Sequence, residues 1–232
     1  MIDVHSHILP NVDDGSRSLE ESMKMLEALN KASFNTVFVT PHVTSKRPVT
    51  LDNGRLEKKF QTLLASIKNK GLNLKLYKGS EFDAHRSTHH ELKHGFTLAG
   101  SKVVLVDLSF AKDSYEEVLY NLIVLGYKVM IAHVERYDFL NIQVLKAIKS
   151  NAIYLQMNLN SLYKNAPKKQ NKRAKKLLKA GLIDSIGTDA HRYYPDFFED
   201  LQYGLNECRK LVDDDKFKHI TGGFVKEVIL DG

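Results

Sequence analysis

Short, nearly continuous apolar runs alternate with longer stretches in which apolar residues recur every three or four positions. The first pattern is that of a strand buried on both faces, and the second that of an amphipathic helix. An apolar start, Ile2 and Val4, leads into a loop. Ser18, with Glu21 at capping-box spacing, opens a helix whose stripe is Met23, Leu26, Ala28 and Leu29, ending near Lys31. Thr36–Thr40 (TVFVT) reads as a buried strand. Leu51–Lys70 reads as a helix with Leu56, Phe60, Leu63, Leu64 and Ile67 on one side. Asn73–Tyr77 is the third strand, and Thr88–His94 a short helix or ordered loop beyond it. Then follow the strand Lys102–Leu108, the helix Tyr115–Leu125 closed by Gly126, the strand Lys128–Ala132 and the helix Asn141–Ser150. Ile153–Met157 is the sixth strand, Lys168–Ala180 a basic helix ended by Gly181, and Asp184–Gly187 a short seventh strand. The remainder, from Phe197 to about Leu211 and again near the C-terminus, reads as helical.

Strand and helix thus alternate seven times, an order that implies parallel strands joined by right-handed crossovers. The expected architecture is α/β, a TIM-like (β/α)7 barrel, with a doubly wound open sheet as the alternative. No internal repeat, low-complexity tract or linker interrupts the chain, so residues 1–232 are expected to form one domain.

Composition narrows the class. A chain of 232 residues with 43% hydrophobic and 27% charged residues can bury one substantial core. No run reaches the roughly 18 apolar residues needed to span a bilayer. No charged segment followed by an apolar one stands at the N-terminus, so no signal peptide is expected. The single cysteine, Cys208, allows no intrachain disulfide, which fits a cytoplasmic protein, and it lies in a helix-like run. A cysteine-nucleophile phosphatase would need an arginine six positions later, where this chain has Asp214. The net charge of +6 and pI of about 9.1 suit an anionic substrate, an acidic partner or an anionic surface. No zinc-finger spacing or nucleic-acid module is recognisable, so nucleic acid is not expected as a partner.

The candidate chemistry lies just after the strands. His5 and His7, two residues apart, share one face of a strand end, and Asp13 and Asp14 follow in the loop. His42 follows strand two, Glu81 strand three and His133 strand five, Asp107 ends strand four, and Asp189 with His191 follows strand seven. In a barrel all these ends meet at the face that carries active sites. Imidazoles and carboxylates without thiolate suit Zn, Mn or Fe. His85, His89, His90 and His94 read instead as one solvated face, His219 as surface, and Lys168–Lys179 as a solvated helix face with Leu177 and Leu178 inward.

These residues stand in recognisable motifs: DVHSHILPNVDDGS at the start, TPH at Thr40–His42, GSE at Gly79–Glu81, HVER at His133–Arg136 and TDAH at Thr188–His191. Together they resemble the polymerase-and-histidinol-phosphatase (PHP) superfamily over essentially the whole chain. The nearer resemblance is to the bacterial PHP-type protein-tyrosine phosphatases that accompany the tyrosine kinases of capsule and exopolysaccharide synthesis. Three positions depart from that pattern: Val43 replaces a second histidine after TPH, Val134 replaces a proline, and Asp107 replaces a glutamate. The resemblance implies up to three metal ions at the barrel mouth. His5, His7, Glu81 and Asp189 would hold one; Glu81, Asp107 and His133 a second; and Asp14, His42 and His191 the third, with Asp13 as the alternative to Asp14. Mn2+ is the expected ion, with Fe or Zn as alternatives, and the expected partner is the phosphorylated tail of a bacterial tyrosine kinase.

Such a cluster would clamp phosphoryl oxygens and generate hydroxide from bound water. Arg136, three residues past His133, is the expected phosphoryl contact, with a salt bridge to a nearby carboxylate as its alternative role. Asp189 or His191 is expected to assist the leaving group. Arg17, Lys46, Arg47 and Arg192, beside the ligand motifs, are candidates for attracting an acidic tail. The competing readings are another PHP phosphoesterase, either a histidinol-phosphate-type phosphatase or a nuclease, and a non-catalytic phosphotyrosine-binding regulator.

Overall fold

The apolar runs form strands, and among the described residues every pairing of one strand with another is parallel, an isolated antiparallel bridge from Thr97 to Val104 aside. The computed structural model describes residues 1–44, 54–84 and 97–232. In chain order the strands are β1 (Ile2–Asp3), β2 (Thr36–Val39), β3 (His42–Val43), β4 (Lys75–Lys78), β5 (Glu81–Asp83), β6 (Val103–Asp107), β7 (Lys128–Ile131), β8 (Ile153–Asn158) and β9 (Ser185–Gly187). The helices are α1 (Leu19–Lys31), α2 (Gly54–Asn69), α3 (Tyr115–Val124), α4 (Ile142–Ile148), α5 (Lys168–Lys179), α6 (Phe197–Arg209) and α7 (Asp214–Lys218). The expected start of α2 at Leu51 and the expected element at Thr88–His94 lie outside the described residues. No helix among the described residues is long and apolar enough to cross a membrane.

Beyond two of the expected strands, Thr36–Thr40 and Asn73–Tyr77, the chain makes a second short strand after a break. Pro41 has no N–H to offer a ladder, and the chain leaves strand geometry after Val39 and resumes it at His42. Its neighbour breaks at the same level, at Gly79 and Ser80. Val39 pairs with Lys78 below the break and His42 with Glu81 above it, so the register carries through unchanged. Backbone bonds from Gly79 N to Val39 O (3.0 Å) and from Glu81 N to Pro41 O (3.2 Å) span the gap. The broken strands thereby join the β1-β2-β4 segment to the β3-β5-β6-β7-β8-β9 segment. The sheet curls, and a parallel bridge between Ser6 and Ala190 brings the chain after β1 against the chain after β9. His7 N to Ala190 O (3.0 Å) and Asp189 N to His5 O (2.8 Å) are its backbone bonds.

The curl separates two apolar clusters. Val104, Val106, Ile131 and Leu155 pack outward against helix residues such as Leu29, Leu63, Leu122 and Leu177. Ile2, Phe38, Val103, Leu105, Met130 and Tyr154 form the inner cluster. Side chains of one strand alternate between the two, as a period of two requires. The C-terminal segment does more than the sequence pattern indicates: Phe224, Val225 and Ile229 join the inner cluster. His219, expected at the surface, is half-buried with its ring against Phe224. Toward the strand ends the same alternation turns polar, from Val103 and Leu105 to Asp107 on β6, and from Tyr154 to Gln156 and Asn158 on β8.

The α1 start shows how local sequence fixes the loops. Ser18 Oγ accepts from Glu21 N at 3.1 Å, an N-cap contributing about 1 kcal/mol. Glu21 does not complete the expected capping box with the Ser18 N–H. Its Oε2 accepts from Arg17 N (2.7 Å) and its Oε1 from Tyr193 N (3.2 Å), tying the first loop to the last.

Candidate metal centre

The strand ends bring the expected donors into one continuous cluster. Ligand atoms of His5, His7, Glu81 and Asp189 lie within 4.8 Å of one another. So do those of Glu81, Asp107 and His133, and those of His7, Asp14, His42 and His191. Glu81 belongs to two of these groups and His7 to two, so the three are contiguous. Two of the residues, His133 (φ 33°) and Asp189 (φ 52°), have left-handed backbone, a conformation disfavoured for residues other than glycine. Strain of this kind persists where the surroundings over-determine a site.

The hydrogen bonds decide which imidazole nitrogen faces inward. His133 N donates to Gln156 Oε1 at 2.8 Å, which fixes the orientation of that amide. The same oxygen lies 3.3 Å from His5 Nδ1 and can only accept, so Nδ1 carries the proton and Nε2 keeps its lone pair. His7 Nδ1 is held by Asp13 Oδ2 at 2.8 Å, and His191 Nδ1 by the Asp189 carbonyl at 2.9 Å. Tyr137 donates its hydroxyl to Asp107 Oδ1 (2.7 Å) and accepts from Leu108 N (3.0 Å) and His133 Nδ1 (3.0 Å). Each of these histidines is therefore anchored through Nδ1 and presents Nε2 as a donor pair, the usual arrangement around a metal.

The donors fit a divalent cation. His5 Nε2 and His7 Nε2 face each other at 3.2 Å. With both rings neutral and held through Nδ1 these are two lone pairs, a contact that a cation, or a proton on His7, relieves. Glu81 Oε2 is buried with no hydrogen-bond donor, yet His42 Nδ1 lies at 3.0 Å, His7 Nε2 at 3.2 Å and His5 Nε2 at 3.3 Å. Burial alone would raise the Glu81 pKa, but His5, His133 and His7 hold it well below the usual carboxylate range. Burial likewise opposes charging of His7, and Asp13, Asp189 and Glu81 outweigh it, so its pKa stands well above the ordinary value.

Comparison with known proteins gives the family of the chain. Residues 1–228 match the family described as capsular polysaccharide synthesis, CpsB/CapC. The chain belongs to that family. The tyrosine-protein phosphatase CpsB of Streptococcus agalactiae is 28% identical over 203 residues, spanning 82% of this chain and 83% of its own. A solved structure described with YwqE of Bacillus subtilis and CpsB of Streptococcus pneumoniae, metal-dependent tyrosine phosphatases, superposes with a TM-score of 0.79 at 23% identity. That match covers 94% of this chain and 90% of the other. The histidinol phosphate phosphatase of Lactococcus lactis, solved with zinc, L-histidinol and phosphate, superposes with a TM-score of 0.60 at 16% identity, over 90% of this chain and 93% of its own. The two structural matches bear on the fold alone.

In this CpsB/CapC chain the two loop carboxylates divide the work. Asp13 is engaged by His7 Nδ1, His42 N (3.0 Å) and Gly15 N (2.9 Å), so it positions rather than faces the centre. Asp14, 69% exposed, has its Oδ1 3.5 Å from both His42 Nε2 and His191 Nε2. Asp107 keeps Oδ2 4.0 Å from His133 Nε2 while Oδ1 is committed to Tyr137 and Ser109 N. Arg136 makes the salt bridge that its alternative role required: Nη2 donates to Asp189 Oδ2 at 2.8 Å. It stays 37% exposed and lines a neighbouring cleft with Ser109 and Lys112. Arg17 is exposed. Arg192 does not reach outward; it donates to the Gly15 carbonyl and clamps the last loop to the first. Lys46 and Arg47, and the cluster His85, His89, His90 and His94, lie outside the described residues.

Several residues of the site carry no motif signal. Gln156, Asn158 and Tyr137 are among them, and Asn158 Nδ2 donates to Asp189 Oδ2 at 2.7 Å. Asp83 is another: it stands two residues past Glu81, 3.7 Å from His42 Nδ1, and burial pushes its carboxyl up to about 6. Spacing along β5 is the one signal that points to it. The Tyr137 network yields a test. Tyr137→Phe leaves Leu108 N and His133 Nδ1 without their acceptor, so it should cost about 1–3 kcal/mol of stability. Metal affinity should fall about 10–100-fold, read by competition with a chelator.

Proposed function

We propose that this chain is a metal-dependent protein-tyrosine phosphatase, acting in the cytoplasm on the phosphorylated tail of a bacterial tyrosine kinase that controls capsular or exopolysaccharide synthesis. Residues 1–232 act as one PHP-type domain, with the curled sheet closed as a (β/α)7 barrel. The observation that carries this reading is the continuous imidazole–carboxylate cluster at the strand ends, with the Nε2 atoms of His5 and His7 aimed at each other. The family membership and the tyrosine-phosphatase relative support the substrate class.

His5, His7, Asp14, His42, Glu81, Asp107, His133, Asp189 and His191 would hold up to three ions, Mn2+ before Fe or Zn. When bound, such ions supply positive charge for the phosphoryl oxygens and activate water near neutral pH. Arg136, held by Asp189 at the edge of the cluster, orients the phosphoryl group from the cleft side. A phenol leaves with a pKa of about 10, so the proton demanded of His191 is modest. Asp189 has its Oδ2 bonded by Arg136 and Asn158. Against the effect of burial, His5 and His7 hold its carboxyl well below the usual range, so it stays ionised and serves as a ligand.

The test is a substrate panel under one Mn2+ condition: a phosphotyrosine peptide, histidinol phosphate and single-stranded DNA. Fast release of phosphate from the peptide, stopped by chelation, is the expected result. Preference for histidinol phosphate or DNA, or tight peptide binding without turnover, would replace this reading with one of its rivals.

A further inference from the structure

We propose that the exposed face of α5 is a docking track for the acidic stretch flanking the phosphotyrosine of a protein substrate. The inference rests on the tyrosine-phosphatase reading and extends it from the phosphoryl group to the residues around it.

The helix KKQNKRAKKLLK contains no acidic residue. Ala174, Leu177 and Leu178 bury its inner face. Lys169, Lys172, Arg173 and Lys176 fall at the spacing of a single helix face and line a cleft of about 490 Å³ with Asp138 and Asn141. Asp138 is the one carboxylate among the residues lining it, and it is ion-paired to Lys169. Lys172 and Lys176 are exposed and have no carboxylate partner among the described residues. By contrast Lys175, half-buried on another side of α5, is matched by Glu207 at 3.2 Å. Lys168 and Lys179 are exposed as well, but they lie outside the cleft, so Lys172 and Lys176 are the pair of α5 lysines placed to meet a ligand lying in it.

Position makes this concavity a track. Asp138 also lines a second cleft of about 490 Å³, formed with Ser109, Lys112 and Arg136. Arg136 in turn bonds Asp189 in the metal centre. The route therefore runs from the centre past Arg136 and Lys112 to Asp138, and on to the α5 lysines. Lys169 to Lys176 spans about 10 Å of helix axis, or about three residues of extended peptide. An extended chain with its phosphotyrosine at the centre would lay carboxylates or further phosphates against Lys172 and Lys176. Charges at the edge of such a contact act on encounter and selection between partners, and their effect weakens with salt.

The experiment uses the full-length, metal-loaded protein and its double variant Lys172→Glu/Lys176→Glu. Three substrates are compared: p-nitrophenyl phosphate, a phosphotyrosine peptide with Asp/Glu flanks, and the same peptide with Asn/Gln flanks. The wild type should prefer the acidic peptide, and added salt should erase that preference. The variant should raise KM for the acidic peptide about 10-fold and leave kcat/KM for p-nitrophenyl phosphate unchanged. An unchanged KM, or an equal loss on both peptides, overturns the track. If the wild type hydrolyses none of the substrates, the phosphatase reading fails, and fluorescence anisotropy of the acidic peptide judges the track by itself. Salt-sensitive binding lost in the variant then supports it, and equal binding by both proteins overturns it. Should the variant lose binding to phosphatidylserine vesicles while retaining the acidic peptide, the face serves a membrane and the proposal is wrong.

Discussion

Glu81→Gln should lower phosphotyrosine turnover at least about 1,000-fold, a loss of about 4 kcal/mol in transition-state stabilisation, and should strip most metal from the protein. Glu81 is 1% exposed, and its two oxygens are the hub of the cluster. Oε1 lies 2.8 Å from His133 Nε2, and Oε2 is approached by His5, His7 and His42. Glutamine keeps the volume, so packing is preserved, but it removes the shared negative charge and turns an amide donor toward lone pairs. Two ligand groups lose their common member together. Metal analysis, steady-state kinetics and far-UV circular dichroism on one preparation separate the outcomes. An unchanged spectrum with lost metal and lost turnover is expected. Metal content near that of the wild type, with activity within about tenfold of it, would remove Glu81 from the centre.

Gly15→Ala should have the largest effect on the fold near the site. A Cβ at Gly15 would stand 2.1 Å from His7 O, 2.5 Å from His7 Cβ and 2.8 Å from Asp13 Oδ1. The first of these is a backbone oxygen pinned by Ser16 N at 3.0 Å, so it cannot give way as a flexible side chain would. The Gly15 carbonyl is clamped by Arg192 as well. The loop must move, and Asp14 must move with it. Overpacking costs about 1–3 kcal/mol or more, and for a chain of this size each kcal/mol is about 2–4 °C in Tm. A fall of about 5–10 °C is expected by calorimetry, with reduced metal content. A Tm within about 1 °C of the wild type would show that the loop is not packed against His7 in this way.

The parts of the site that could be read in the sequence are those fixed by short-range spacing. His5-x-His7, and the acids and histidines placed just after each apolar run, need only strand periodicity to be brought to one end. What escaped depends on contacts between distant segments. His5 and Gln156 are 151 residues apart, and Gln156 sits as a lone amide among the apolar residues Ile153, Leu155 and Met157, with nothing local to mark its partner. Tyr137 follows the HVER motif without belonging to it, yet its hydroxyl links β6 to His133. The choice between Asp13 and Asp14 turned on which carboxylate the His42 and Gly15 amides would capture. In the fold, the seven-run pattern survives, and two of the runs end where expected, before Pro41 and before Gly79. What the pattern did not reveal is that the chain resumes strand pairing at His42–Val43 and Glu81–Asp83, two segments too short to carry a periodicity of their own. The dismissal of Cys208 as a nucleophile agrees with its environment: the thiol is buried and pushed up to about 12.

The central claim is that a metal cluster built on these strand ends hydrolyses phosphotyrosine. Its most direct test is metal stoichiometry and phosphotyrosine turnover measured on the same preparation through removal and stepwise return of Mn2+. The expected result is up to about three ions per chain at saturation, with turnover abolished by chelation and restored as the ions return. Sustained turnover by protein holding less than about 0.1 ion per chain would contradict it.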